Sequence, residues 1–172
     1  MGASDFSKLP HIGESVRRKE DYRFLTGAGQ YTDDIVLAAQ SFAVFVRSPH
    51  AHARVVSINS DAAKAAPGVI GVFTGADVAA DNINGLPCGW LITSTNGEPM
   101  KEPPHPILAQ GKVRYVGDGV AMVVAETLQQ ARDAAERVEV DYDVLPAVVN
   151  VQDAAAGAVA GAGLHDIAED NH

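Results

Sequence analysis

A series of short apolar runs, each followed by turn-forming residues, is the feature of the sequence that most constrains the fold. Runs of four to six residues rich in Val, Ile and Phe are typical of strands and are too short for ordinary helices. They cover residues 42–46, 55–58, 69–73, 113–116, 120–125 and 138–142. Turn-forming residues such as Ser48-Pro49 and Pro146 end them. We therefore predict a domain of the α+β class, a mixed sheet with short flanking helices.

Two helix starts can be predicted from capping residues. Ser60-Asp61 precedes an Ala-rich segment, residues 62–66, and Thr127 is followed three residues later by Gln130, the spacing of a capping box. The second helix has an apolar face at helical spacing. That face consists of Leu128, Ala131, Ala134, Ala135 and Val138. A further turn or short helix is expected at Thr74-Gly75.

Gly117-Asp118-Gly119 lies between the apolar runs 113–116 and 120–125. Asp-Gly between two such runs is typical of a hairpin turn, because glycine tolerates the positive φ that these turns require. We therefore expect a hairpin here, with Gly119 more important to folding than any histidine.

Composition excludes several classes of protein. The net charge of −9 argues against nucleic-acid binding, which needs clustered Lys and Arg. The single cysteine, Cys88, cannot form an intrachain disulfide, and this fits a reducing compartment. No apolar run approaches the roughly 18 residues that a membrane span needs, and the first residues contain no apolar signal core. We expect a cytoplasmic protein that does not associate with membranes.

The charge is unevenly distributed along the chain. No Lys or Arg follows Arg137, whereas several acidic residues do. Such a run is explained by a solvated acidic surface, or by a surface that steers a basic partner. The sequence leaves both explanations open.

Four motifs resemble chemical sites but lack essential parts. Gly27-Ala-Gly-Gln-Tyr-Thr32 begins like a dinucleotide fingerprint, but its third glycine is absent, and a tight turn is favoured. Asp33-Asp34 is expected to cap or turn the chain. His50 and His52 have metal-ligand spacing on a strand, yet no third ligand is evident, so a surface or turn position is expected. Cys88 has no identifiable base, and Trp90 beside it is interpreted as a packing anchor. We assign no catalytic, cofactor-binding or metal-binding residue.

Residues 80–106 differ from the rest of the sequence because proline and glycine recur throughout them. We expect an irregular loop, and a loop of this length is usually functional or flexible. Its apolar side chains either complete the core of the domain or form an interface with a partner. The whole chain is divided into an N-terminal arm (1–25), a folded domain (26–150) and an Ala- and Gly-rich linker (151–172).

Five blocks of the sequence resemble the aldehyde oxidase/xanthine dehydrogenase family, and they occur in the family's order over about residues 13 to 153. The first three are Leu25-Thr-Gly-Ala-Gly-Gln-Tyr-Thr-Asp-Asp-Ile35, Arg47-Ser-Pro-His-Ala-His-Ala-Arg54 and Pro67-Gly-Val-Ile-Gly-Val-Phe-Thr-Gly75 with Asp77. The others are Gly111-Lys-Val-Arg-Tyr-Val-Gly-Asp118 followed by Val120-Ala-Met-Val-Val-Ala-Glu126, and Val140-Asp-Tyr-Asp-Val-Leu-Pro-Ala147. The details resemble bacterial carbon monoxide dehydrogenase-like and aldehyde dehydrogenase-like large subunits.

This resemblance implies an α/β hammerhead domain that precedes a longer molybdopterin-binding portion. It implies that the full complex hydroxylates an aldehyde, an N-heterocycle or a similar carbon centre and carries molybdopterin, iron–sulfur clusters and FAD. None of the family's catalytic motifs is present here, so the implied role is structural, with the molybdopterin-binding domain and the iron–sulfur subunit as partners. The alternative is a non-enzymatic assembly or binding module that reuses the hammerhead fold.

Overall fold

The computed structural model describes residues 13, 15, 17–157 and 163–167, which form parts of two compact units, Met1–Gln40 and Ser41–His172. The first unit contains helix α1 (Asp21–Leu25) and a 3-10 helix, Thr32–Asp34. Asp34 caps the 3-10 helix, since its carboxylate accepts a hydrogen bond from the Tyr31 backbone N–H at 2.9 Å. The capping role expected for Asp33-Asp34 is therefore confirmed, and Asp34 fills it.

The second unit contains six strands and four helices among its described residues. In chain order they are β1 (Phe42–Arg47), β2 (Ala53–Asn59), α2 (Asp61–Lys64), β3 (Val69–Thr74), α3 (Gly75–Ala80), β4 (Lys112–Val113), β5 (Gly119–Ala125), α4 (Leu128–Ala135), β6 (Glu139–Val144) and α5 (Val151–Ala156). Helix α5 lies within the stretch predicted to be a linker. The α+β class is confirmed.

The strands form two three-stranded sheets. One has the order β1-β5-β3 and is called the β5 sheet; the other has the order β4-β2-β6 and is called the β2 sheet. Every strand pair within the described residues is antiparallel. The expected mixed sheet is therefore corrected to two antiparallel sheets.

One face of the β5 sheet is covered by helices. A buried cluster there joins Val72 and Val123 from the strands with Ala63 of α2 and Ala134 of α4. Helix α4 begins as predicted, because the Thr127 hydroxyl accepts a hydrogen bond from the Gln130 N–H at 3.2 Å. Burial of apolar side chains at alternate strand positions is what a half-covered sheet requires.

A second buried cluster connects the two sheets. It consists of Ala53, Ala109, Val113 and Val120, with partly buried side chains of the β2 sheet packed against it. The other face of the β2 sheet is charged, and Arg54 pairs there with Asp143 at 3.2 Å. Glu139 and Asp141 on the same strand are also exposed, as expected for a solvated acidic surface.

The predicted hairpin at Gly117-Asp118-Gly119 is wrong. Strand β4 pairs with β2, and β5 pairs with β1 and β3. Gly117 has a φ of +92°, whereas Gly119 is the buried first residue of β5, where it is paired with Arg47. The Gly119 carbonyl also accepts a hydrogen bond from the Ala109 N–H at 2.7 Å. Glycine is therefore required for its backbone freedom at position 117 rather than at position 119.

We predict that Gly117→Ala lowers the free energy of unfolding by about 1–2 kcal/mol, because an L-residue is strained at this positive φ. Gly119→Ala is the matched control, since its added Cβ would meet its nearest neighbour, Leu108 Cδ2, at an ordinary 3.5 Å. Urea melts of the two variants measure the difference. A loss of stability in Gly119→Ala as large as that in Gly117→Ala would contradict this assignment.

Candidate interaction surface

The face of the β5 sheet opposite its helices is apolar and open. Phe45 of β1 and Phe73 of β3 both lie directly across from Met122 of β5, so the three side chains form a row across the sheet. Phe45 is 40% exposed and Phe73 is 42% exposed. Side chains of this size are normally covered in a finished domain, and a contiguous exposed group of them indicates an interaction site.

The row borders a pocket of about 290 Å³. The buried side chains of Leu108 and Val78 line its inner side, and the half-exposed side chains of Ile83 and Ile107 line its opening. We call the row and this pocket together the open face. It is concave and apolar, so it suits the insertion of apolar side chains from a partner.

Carboxylates lie beside the apolar surface of the pocket. Asp77 and Asp81 both line it. The Thr74 hydroxyl and backbone N–H donate to Asp77 at 2.8 and 2.7 Å, and these hydrogen bonds lower the pKa of the Asp77 carboxyl. The opening of the pocket therefore carries fixed negative charge at neutral pH.

The irregular loop predicted over residues 80–106 is present in the structure beyond the end of α3. Its only β-bridge among the described residues joins Thr93 and Pro99. Leu86 is 68% exposed and Trp90 is 79% exposed, so these side chains do not complete the core, and Trp90 is not a packing anchor for this unit. The loop adds a second apolar surface to the molecule.

The sequence motifs that resembled chemical sites do not form a common site in the structure. Gly27 has a positive φ of 73°, in agreement with a tight turn, and Cys88 is exposed with its thiol 3.4 Å from the Trp90 carbonyl oxygen. Within residues 13, 15, 17–157 and 163–167, no group of three or more His, Cys, Asp or Glu side chains could hold a metal ion. Over the same residues, no helix is both long and apolar enough to cross a membrane.

The surface or turn position expected for the His50 and His52 pair holds only in part for His52, which lies in a turn but not at the surface. The segment between β1 and β2 is bent, and His52 is only 1% exposed. Its Nδ1 lies 2.7 Å from the Pro146 carbonyl oxygen, which can only accept, so Nδ1 carries the proton. The Leu145 N–H donates in return to the His52 carbonyl at 3.0 Å. These two hydrogen bonds of His52 therefore hold the start of β2 against the segment that follows β6.

Comparison with known proteins identifies this architecture. A family model described as "Aldehyde oxidase and xanthine dehydrogenase, a/b hammerhead domain" matches residues 26–146. The chain belongs to this family. The fold is therefore an α/β hammerhead domain, as the sequence motifs implied.

Three relatives show how much of a larger protein the hammerhead domain represents. The carbon monoxide dehydrogenase large chain of Afipia carboxidovorans is 41% identical over 83% of this chain and 16% of its own length. The nicotine 6-hydroxylase large subunit of Paenarthrobacter nicotinovorans is 40% identical over 81% of this chain and 16% of its own length. The crystal structure of quinoline 2-oxidoreductase from Pseudomonas putida 86 superimposes with a TM-score of 0.71 and 42% identity over 87% of this chain and 18% of that chain. The chain thus spans about a sixth of these relatives.

The open face of the hammerhead domain was not found from the sequence, although a signal for it was present. Residues 42–46 are apolar without alternation, and such a run is typical of a strand that is covered on both faces. In this chain, helices cover only one of those faces. The signal for the open face is that this strand contains more apolar residues than one covered face needs.

We predict that His52→Ala lowers the free energy of unfolding by about 2–4 kcal/mol, through the loss of a buried hydrogen bond and the cavity left behind. His50→Ala is the matched control. The His50 ring is half-buried and contacts Tyr142 edge-on, with ring centroids 4.9 Å apart, so about 0.5–1 kcal/mol is expected. Denaturant melts measure the free energy of unfolding of both variants. Equal losses of stability would show that the buried contact of His52 does not stabilise the fold.

Proposed function

We propose that this chain is the hammerhead part of the large subunit of a molybdenum-containing oxidoreductase, and that its role there is structural. The open face carries this proposal, because a face of this kind needs a protein partner to cover it. The names of the relatives support it: one is the large chain of a dehydrogenase, one is the large subunit of a hydroxylase, and one is an oxidoreductase. These names favour an enzyme component over a separate assembly module.

The occupant that we propose for the open face is the molybdopterin-binding portion of the same large subunit. Burying apolar surface contributes roughly 25 cal/mol per Å². Phe45, Phe73, Ile83 and Ile107 are each between 40% and 50% exposed, so covering them would provide a substantial part of the association free energy. The exposed Leu86 and Trp90 of the 80–106 loop provide a second contact, for which we propose the iron–sulfur subunit.

We propose that the cofactors of the full complex, namely molybdopterin, iron–sulfur clusters and FAD, bind outside this chain. An iron–sulfur cluster needs about four thiolates or equivalent ligands, and this chain contains one cysteine. The chain would therefore act by holding neighbouring parts in place. In this proposal, the substrate of the full enzyme is an aldehyde, an N-heterocycle or a similar compound. The enzyme itself is located in the cytoplasm.

The purified chain is expected to contain no molybdenum, iron or flavin. The physical reason is the lack of suitable ligands, since Cys88 is alone and the described residues offer no metal-ligating group. Elemental analysis together with the absorbance spectrum measures this. Stoichiometric molybdenum, iron or flavin would show that the division of roles proposed here is wrong.

Phe45→Ala combined with Phe73→Ala is expected to weaken association with the molybdopterin-binding portion by about tenfold or more, since truncated aromatic anchors typically dominate an interface. Calorimetric titration of the two purified parts measures the affinity. A matched control combines Val56→Ala with Val149→Ala, which removes apolar side chains that are 61% and 92% exposed and lie outside the open face. Thermal melts establish that both variants fold. Wild-type affinity in the double phenylalanine variant would refute the assignment of the open face.

A further inference from the structure

A cleft of about 300 Å³ lies on a different part of the second unit from the open face. Residues 104–106 line it on one stretch of the chain, and Leu164 and His165 line it on another. The lining is completed by Ala109 and by three residues between β4 and β5, namely Arg114, Tyr115 and Asp118. The lining thus contains two imidazoles, a guanidinium and a phenol, together with one carboxylate. A segment that is distant in the sequence, residues 164–165, thus joins residues 104–118 around this set of polar groups.

The guanidinium in the cleft is held by backbone carbonyls. Arg114 Nε donates to the Leu164 carbonyl at 2.9 Å, and Nη1 contacts the Lys112 carbonyl at 3.3 Å. Neither acceptor carries a formal charge, so these bonds orient the guanidinium without neutralising it. Lys112 lies 3.6 Å from Asp166, whose side chain is 94% exposed, and water therefore weakens this ion pair.

The local charge balance is more even than that of the whole chain. Acidic residues outnumber basic ones by 22 to 13. At the cleft, however, the pKa of the His165 imidazole is lowered, first by partial burial and then by the charges of Arg114 and Lys112. His105 lowers the same pKa further, and only Asp166 acts in the opposite direction. Basic side chains therefore outnumber acidic ones among the charged neighbours that shift the pKa of His165.

The carboxylate in the lining is already engaged. Asp118 accepts the Arg114 backbone N–H at 3.0 Å and also interacts with the Tyr115 hydroxyl. Partial burial and the charge of Asp118 raise the pKa of the Tyr115 phenol, so this phenol stays protonated at neutral pH. The guanidinium is left as the cation that can attract a further negative charge, and the imidazoles can donate hydrogen bonds to it.

We propose that this cleft binds a small oxyanion, such as a phosphate or a small carboxylate, through His105, His165 and Arg114. The volume is at the lower end of the range for ligand pockets, which suits a phosphate group or a short carboxylic acid better than a whole nucleotide. This site is independent of the structural role proposed above, because it shares no lining residue with the open face.

The test follows the histidine imidazole resonances of the full 172-residue chain by NMR. Inorganic phosphate or sodium acetate is added at constant ionic strength, with sodium chloride as the reference salt. A bound anion favours the charged imidazole, so the pKa of His165 should rise toward its ordinary value of 6.5 and saturate. Half-saturation is expected at concentrations on the order of millimolar. His50, which contacts Tyr142 and does not line the cleft, is the internal control.

Variants distinguish a built site from general attraction of anions. His105 is exposed, so His105→Gln should leave the fold intact and weaken anion binding several-fold. Lys101→Gln, which removes an exposed cation that does not line the cleft, should have no effect. The imidazole resonance that disappears in the His165→Gln variant is thereby assigned to His165.

Three results would overturn the proposal. An equal shift in chloride would show an adventitious ion only. The absence of any saturable shift would show that the cleft binds neither probe. If Lys101→Gln weakened anion binding as much as His105→Gln does, the anion would be attracted by the overall charge alone. Saturable shifts with phosphate or acetate that are reduced in His105→Gln alone would support it.

Discussion

The structure of the second unit depends on the pairing of β5 with two strands at once. β5 is the middle strand of its sheet, with β1 on one side and β3 on the other. Val123 lies in the cluster under the helices, and Val120 lies in the cluster that joins the two sheets. Ala121 and Ala125 are completely buried, and their small side chains permit close packing of the backbone. A change in the register of β5 would therefore disturb both clusters and the open face together.

Local signals in the sequence predicted most of the secondary structure. The Thr127 cap, the Asp34 cap and the apolar strands were found because each depends on residues within a few positions of one another. The hairpin at residues 117–119 was wrong because the correct partner of β5 is distant in the sequence. Gly119 lies opposite Arg47, and β4 lies opposite the start of β2. A local turn pattern contains no information about such pairing, whose direction and register are decided by the packing of whole faces.

The candidate surfaces were less accessible to sequence reasoning than the strands. An apolar run shows that a strand has two apolar faces, but it does not show which face the helices of the domain will cover. Phe45 and Val46 are neighbours in the sequence, yet Val46 packs against both buried clusters, whereas Phe45 is half-exposed. The same limit applies to His52, because a His-x-His pattern does not show that the chain bends between β1 and β2 and buries the second ring. These properties arise only from tertiary packing.

The segment before β4 connects the two surfaces. Ile107 and Leu108 line the apolar pocket of the open face, while His105 and its neighbouring prolines line the charged cleft. The segment is anchored to β5, since the Ala109 N–H donates to the Gly119 carbonyl at 2.7 Å. It is also held against the first residue of α3, because a Cβ on Gly75 would overlap the Ala109 carbonyl. This short, proline-rich segment is therefore fixed at Ala109. It can present apolar side chains to the open face and the His105 imidazole to the charged cleft. The position of both surfaces consequently depends on the central strand.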